Sequence, residues 1–187
     1  DMKYVILGYQ LLPESYTVGV NENKSAKEVV RFLKAHGYHK QVFVVPPLYG
    51  EDGQINIPHY QRASGFLEEA KKQGCEYHIL YGKDTNEQAL EFLKKNTGEK
   101  PVFLCTGEMF AIPMQKFLKK NGYRAPKDYG LMTYDRLMYR FWNEDAIAAV
   151  DNHVDQIGMS VANAIIDLIE EKEIPMNIEV PYDLEEG

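Results

Sequence analysis

A doubly wound α/β fold with a parallel sheet is predicted, on three observations. Short apolar runs alternate with segments of helical periodicity along the chain. The helical segments are long enough to serve as the crossovers that parallel strands require. The strand-like runs are continuously apolar, as strands covered on both faces are.

The elements follow in order. Tyr4 to Leu7 is a buried strand ended by Gly8. Ser25 and Glu28 have capping-box spacing, and Ala26, Val29, Val30 and Leu33 recur on one helical face before Gly37. Gln41 to Val45 is a β-branched and aromatic strand stopped by Pro46-Pro47. After a polar loop, a helix runs from about Pro58 to Gln73, its apolar face being Ala63, Phe66, Leu67 and Ala70, and Gly74 closes it. Tyr77 to Tyr81 is a strand. Thr85 and Gln88 form a second capping box, with Ala89, Leu90 and Leu93 behind it. Pro101 to Cys105 is a strand, and Glu108 to Asn121 a helix whose first turns Pro113 should strain or shorten. Tyr129 to Tyr134 and Ile147 to Val150 are strands. Ile157, Val161, Ile165 and Leu168 stripe a last helix, and Ile178 to Val180 is a last strand.

Composition narrows the function. The chain has 187 residues, 44% of them apolar and 26% charged, which is ordinary for a globular protein. A net charge of −7 argues against this segment gripping phosphate backbones by itself and favours a small-molecule or protein partner. Cys75 and Cys105 both sit in or beside apolar runs and read as buried free thiols. No signal peptide opens the chain and no apolar run approaches the ~20 residues of a membrane span, so a cytoplasmic location without membrane contact is expected. The start, Met2-Lys3 leading straight into a strand, reads as a cut.

Open α/β sheets bind ligands at the carboxyl ends of their strands. The loops to search are therefore 8–11, 46–62, 82–85, 106–108 and 134–142. They hold no dinucleotide fingerprint, P-loop, nucleophile elbow or C-x-x-C, and no cofactor is expected. His36 and His39 flank a helix end, where a cation complements the dipole. Asp151, His153 and Asp155 lack the further ligands a zinc site needs, so no metal is expected. The loop before the second long helix carries His59, Tyr60, Gln61 and Arg62. Arg62 is either a solvated surface residue or a planar fork suited to vicinal hydroxyls or a carboxylate. Asp135 is either a turn former or an acceptor for ligand donors. Arg136, Tyr139, Arg140, Phe141 and the single tryptophan, Trp142, follow it, and such aromatics either pack or stack on sugar faces.

At this point the residues resemble a known family. Phe32 to Tyr38 is similar to its "hL…GH" helix end, and Gln61 to Phe66 to its "xRxxGF" motif. Pro101 to Ala111 resembles its "aifc.nDxmA" segment, with Gly107 and Glu108 replacing Asn-Asp. Gly122 to Tyr129 matches "GlrvPeDv", and Thr133-Tyr134-Asp135 matches "GfDd" with Thr133 for Gly. In shared order and spacing these resemble the effector-binding domain of the lactose-repressor (LacI/GalR) family of transcription regulators, which is periplasmic-binding-protein-like.

The resemblance implies one complete subdomain, residues 22–148 and 176–187, and one partial subdomain, residues 1–20 and 152–174. It implies a non-enzymatic sensor whose small-molecule effector, a sugar or related polar compound, binds in the inter-subdomain cleft. DNA would be bound only through a helix-turn-helix absent from this chain. It places Arg62 and Asp135 on the family's ligand-binding arginine and aspartate, Glu108 on a cleft-edge acid, and Lys83-Asp84 on a loop that often lines the pocket, with Trp142 beside them. Gly107 removes an amide side chain that often bonds the sugar, so the effector is not inherited from any relative. The resemblance also implies a homodimer, with Phe66, Leu67 and Ala70, or the 85–95 helix, as its seam. The competing readings are an extracellular or periplasmic sugar-binding protein of a transporter, and an enzyme on a doubly wound sheet.

Overall fold

The computed structural model describes residues 2–9, 12–49, 53–96, 98–135 and 147–186. The chain divides into two compact units, Asp1–Asn21 with Asn152–Asp183, and Glu22–Asp151 with Leu184–Gly187.

The larger unit carries the alternation read from the sequence. Its elements are α1 (Glu22–Ala35), β3 (Lys40–Val45), α2 (Ile57–Gln73), β4 (Glu76–Tyr81), α3 (Thr85–Lys95), β5 (Val102–Cys105), α4 (Glu108–Lys120), β6 (Gly130–Tyr134), β7 (Ala148–Asp151) and β9 (Asp183–Glu185). The sheet order is β4-β3-β5-β6-β7-β9, and the pairs from β4 to β7 are all parallel. From β3 the chain moves outward to β4, then returns to the other side of β3 as β5. The direction of winding therefore reverses between β3 and β5. That reversal puts α1 and α2 on one face and α3 and α4 on the other.

β3, β5 and β6 are packed on both faces, which is why they lack alternation, while the edge strand β4 is mostly exposed. Val42, Val44, Phe103 and Cys105 join Ala89, Leu93, Met114 and Leu118 on the α3/α4 side. On the other face Phe43 stacks on Phe66 with ring centroids 4.9 Å apart. Gln41, fully buried, donates its amide to the carbonyls of Val30 and Tyr38 at 3.1 Å. Cys75 and Cys105 are free and buried, and burial pushes both thiols up.

Phe66 and Ala70 are fully enclosed in their own unit, so they supply no seam to a second copy. The outward face of α3 is charged instead, with Glu87, Glu91, Lys94 and Lys95 exposed. Apolar periodicity marks a buried face without saying what buries it; here α1 and the sheet do.

Gly65 lies in α2 where the backbone of α1 crosses it. A Cβ there would stand 2.4 Å from the Asn23 carbonyl oxygen, a backbone atom that moves only if the helices part. Gly65→Ala is expected to cost about 1–3 kcal/mol by overpacking. Gly158→Ala, whose Cβ would meet nothing within 4 Å, is expected to stabilise by about 0.5–1 kcal/mol through helix propensity. Urea unfolding of both variants checks the contrast; equal effects would show that the α1–α2 contact tolerates a methyl.

The smaller unit has β1 (Ile6–Leu7), β2 (Thr17–Gly19), α5 (Val154–Ile169) and β8 (Asn177–Glu179). Its sheet, β1-β2-β8, is parallel throughout. Val18, Ala164 and Val180 form its core, with Val5, Ile157, Val161 and Ile178 packed around them. The strand predicted over Ile178 to Val180 was assigned to the larger unit from sequence. It pairs instead with β2, Ile178 opposite Val18. An apolar run fixes that a strand exists, not which edge it joins.

Three local expectations change. α1 begins at Glu22, so Ser25 is inside the helix, fully buried, with its hydroxyl donating to the Glu22 carbonyl at 2.9 Å. Serine can bond back to the preceding turn as readily as it caps. At α3 the N-cap is Asp84 and not Thr85, and Gln88 reaches back to the Asp84 carboxylate at 2.9 Å. α4 runs through Pro113 from Glu108 to Lys120, unshortened. The carbonyl that loses its bond belongs to Met109, an exposed residue.

Candidate functional site

The carboxyl ends of β3, β5 and β6 bring one cluster together, and Arg62 is its centre. It leaves the first turns of α2, in the segment that follows β3. Its Nε and Nη2 donate to the two oxygens of Glu22 at 2.6 and 2.8 Å, and Nη1 donates to the Thr106 carbonyl at 2.6 Å. The guanidinium lies over the Tyr134 ring, 4.1 Å from its centroid. Thr106 directly follows β5 and Tyr134 ends β6, so one side chain ties α1, α2 and two strand ends. Because β3 and β5 flank the winding reversal, Arg62 sits at the switch point of the sheet.

Arg62 is only 6% exposed. It is thus neither the solvated arginine nor the open fork that the sequence allowed. Burial alone would lower its pKa; the hydrogen bonds and charge of Glu22, then Tyr134 and Asp135, outweigh it and hold the guanidinium's pKa above its usual value. Glu22 is the partner the sequence reading missed. Forty positions separate the two residues, and no periodicity links them.

Asp135 follows β6, and its N–H donates to the Val150 carbonyl at 3.0 Å. Its φ is +66°, in the left-handed region that Asp tolerates better than most residues. Its charge acts on Arg62, His59 and Tyr134, which places its carboxylate in the same cluster.

His59 stands one helical turn before Arg62, half-buried, edge-on to Phe110 with centroids 6.3 Å apart. Its Nδ1 is buried with no hydrogen-bond partner among the described residues. Burial, then the Arg62 charge, lower its pKa to about 4 against a partial opposing pull from Asp135. The imidazole is therefore neutral near pH 7 and offers one donor and one lone pair. The Thr106 hydroxyl, in a residue 1% exposed, is likewise without a partner among the described residues. Buried polar atoms are normally satisfied, so two such atoms at one set of strand ends mark a place to which a polar guest or water would be drawn.

The other sequence candidates are placed less centrally. Glu108 opens α4 directly after Thr106-Gly107 and is 5% exposed. Asp84 is exposed at the end of β4, separated from β5 by the whole width of β3, and is engaged by Gln88. Trp142, with Arg136, Tyr139, Arg140 and Phe141, lies outside the described residues. His153 pairs with Asp183 at 3.0 Å. Among the described residues no cluster of three or more metal-ligating side chains occurs, and no helix is long and apolar enough to cross a membrane.

The sequence profile described as periplasmic binding proteins and sugar-binding domain of the LacI family matches residues 12–186. A curated relative is the helix-turn-helix-type transcriptional repressor PurR of Escherichia coli O1:K1, 24% identical over 155 residues, which are 80% of this chain and 44% of the repressor. The chain thus spans less than half the length of that relative. Among solved structures, a LacI family transcriptional regulator from Enterococcus faecium with bound ribose superposes with a TM-score of 0.78, 17% identical over 97% of this chain and 68% of the other. A periplasmic binding protein/LacI transcriptional regulator from Alkaliphilus metalliredigens, complexed with D-xylulofuranose, gives 0.77, 14% identical over 100% of this chain and 71% of the other. At these identities the structural likeness speaks for the fold.

Proposed function

The chain belongs to the family of periplasmic binding proteins and LacI-type sugar-binding domains, and from that premise we propose that it is the effector-sensing part of a cytoplasmic transcription regulator. Its effector is a sugar or related small polar compound, met at the carboxyl ends of β3, β5 and β6. Occupancy there modulates DNA binding by a helix-turn-helix outside this chain. The relatives named above are regulators and binding proteins, not enzymes, and the cluster is suited to holding a ligand rather than transforming one.

The observation that carries this reading is the convergence of Arg62, Asp135, His59 and Thr106 on the switch point of the sheet. A doubly wound sheet leaves its ligand crevice there. The two unsatisfied polar atoms and the Asp135 carboxylate are the groups that hydroxyls could engage. The same reading takes Glu108 and Asp84 as rim residues of the site and, by the family resemblance, Trp142 as a further ligand contact.

A thermal-shift screen of neutral sugars, sugar phosphates and nucleobases tests the proposal, since a specific binder raises the melting temperature by mass action. Stabilisation by none of the panel would count against it. With a binder in hand, Asp135→Asn is expected to weaken binding roughly tenfold, because one charged acceptor becomes neutral. Asparagine tolerates the left-handed conformation as aspartate does, so the melting temperature without ligand should barely move. Unchanged affinity by calorimetry would remove Asp135 from the site.

Assembly as a homodimer is part of the same proposal, through a surface other than Phe66 and Ala70. Sedimentation showing monomer alone at high concentration would contradict it.

A further inference from the structure

The effector reading leaves open which ligands the arginine admits, and the Glu22–Arg62 pair speaks to that. In a site open to anions, an arginine at a strand-end switch point offers its fork to a carboxylate or phosphate. Here a carboxylate of the chain already fills it. Glu22 takes Nε and Nη2 together, at 2.6 and 2.8 Å, and Thr106 takes Nη1. Three of the five N–H groups of a guanidinium are thereby used. The Glu22 side chain is 15% exposed and that of Arg62 7%, so the pair is little screened by water. Asp135 adds a second carboxylate whose charge acts on the same guanidinium, and Glu108 a third acid at the start of α4. Among the described residues of the cluster, Arg62 is the cation and Glu22 matches it. The groups left for a guest are those that suit hydroxyls: the Thr106 hydroxyl and His59 Nδ1.

We propose that Glu22 is a specificity-determining residue, an internal occupant of the Arg62 fork that restricts the site to uncharged polyhydroxylated effectors and excludes carboxylates and phosphates. This rests on the effector-binding reading. A sugar acid or sugar phosphate would have to expel Glu22 and leave its carboxylate without the guanidinium. A neutral sugar need not disturb the pair.

The test compares the parent chain with Glu22→Gln, which keeps the shape and removes the charge. The probes are D-glucose against D-glucuronate, D-ribose against D-ribose 5-phosphate, and inorganic phosphate. The readout is the Arg62 Nε–Hε resonance, backed by thermal shift. In the parent the resonance should ignore all three anions. In Glu22→Gln it should respond to them, with affinities at least roughly tenfold above the parent's, as expected for a charge-assisted bidentate contact. Anions that move Arg62 equally in both proteins, or a folded Glu22→Gln that binds none, overturn the proposal. Should Glu22→Gln fold poorly, inorganic phosphate is expected to stabilise it more than the parent or the Glu22→Gln/Arg62→Met double variant. Equal stabilisation of all three overturns the proposal just as well. Neutral sugars that fail to bind either protein, while the anions behave as stated, count against the effector reading and leave the charge gate standing.

Discussion

Arg62→Ala is expected to destabilise the larger unit by about 3–5 kcal/mol, the cost of breaking a buried ion pair by removing one partner. The basis is burial and geometry together. The Arg62 side chain is 7% exposed, and its three hydrogen bonds reach Glu22 and the Thr106 carbonyl. Alanine would leave the Glu22 carboxylate, 15% exposed, without its cation. It would also strip the Tyr134 ring of the guanidinium above it. A solvated arginine or an open fork, the two states the sequence allows, would face water and make the substitution nearly neutral to folding. Much of the cost is the stranded carboxylate. The double replacement Arg62→Met with Glu22→Leu should therefore recover most of the stability, as well-packed apolar residues often match a buried pair. Urea unfolding of both single variants and the double one gives the coupling energy directly. A cost for Arg62→Ala below about 1 kcal/mol would place the pair with ordinary surface salt bridges.

That difference shows where the sequence was legible and where it was not. The runs predicted over Gln41 to Val45 and Pro101 to Cys105 coincide with β3 and, but for Pro101, with β5, because burial on both faces leaves Val42 to Val45 and Val102 to Cys105 wholly apolar. Gly37 and Gly74 marked helix ends because each takes a positive φ just beyond one. The same local logic failed where two chemistries share one spacing. Ser25-x-x-Glu28 has capping-box spacing, yet Ser25 is buried one turn inside α1. Long-range pairing was illegible altogether. The Glu22 to Arg62 contact spans forty positions, and the joining of β8 to β2 spans far more. Neither leaves a periodic trace. The motif around Arg62 and Gly65 carried the place of the site, while the state of the arginine needed the fold.

His59 is expected to make the protein lose stability as the pH falls from about 6.5 to about 4. In the unfolded chain a histidine titrates near 6.5, while in the fold burial, then the Arg62 charge, lower it to about 4. Between those values the unfolded state holds a proton that the native state refuses. Stability therefore rises with pH across that window, and the whole contribution is gone below it. The full shift would correspond to about 3 kcal/mol, and solvent screening of the half-buried ring brings the contribution below that. The physical origin is local. His59 lies in the first turn of α2, where the helix dipole disfavours a cation, and its ring abuts Phe110. Asp135 pulls the other way without restoring the usual value. Other groups act elsewhere: His36 is raised by its bonds to the Phe32 carbonyl and Glu186. For Glu69, burial works upward, but its bonds to Gln73 and Arg31 hold it below the usual carboxylate range, so its contribution is lost at lower pH. The two histidines should thus titrate on opposite sides of 6.5 by NMR. His59→Gln, neutral at every pH, should flatten the stability profile in this window while leaving the carboxylate-driven loss below it. If the variant keeps the parent's slope between pH 6.5 and 4, the acid sensitivity belongs to other groups, and His59 is not the half-buried neutral imidazole that its place beside Arg62 and Phe110 makes it.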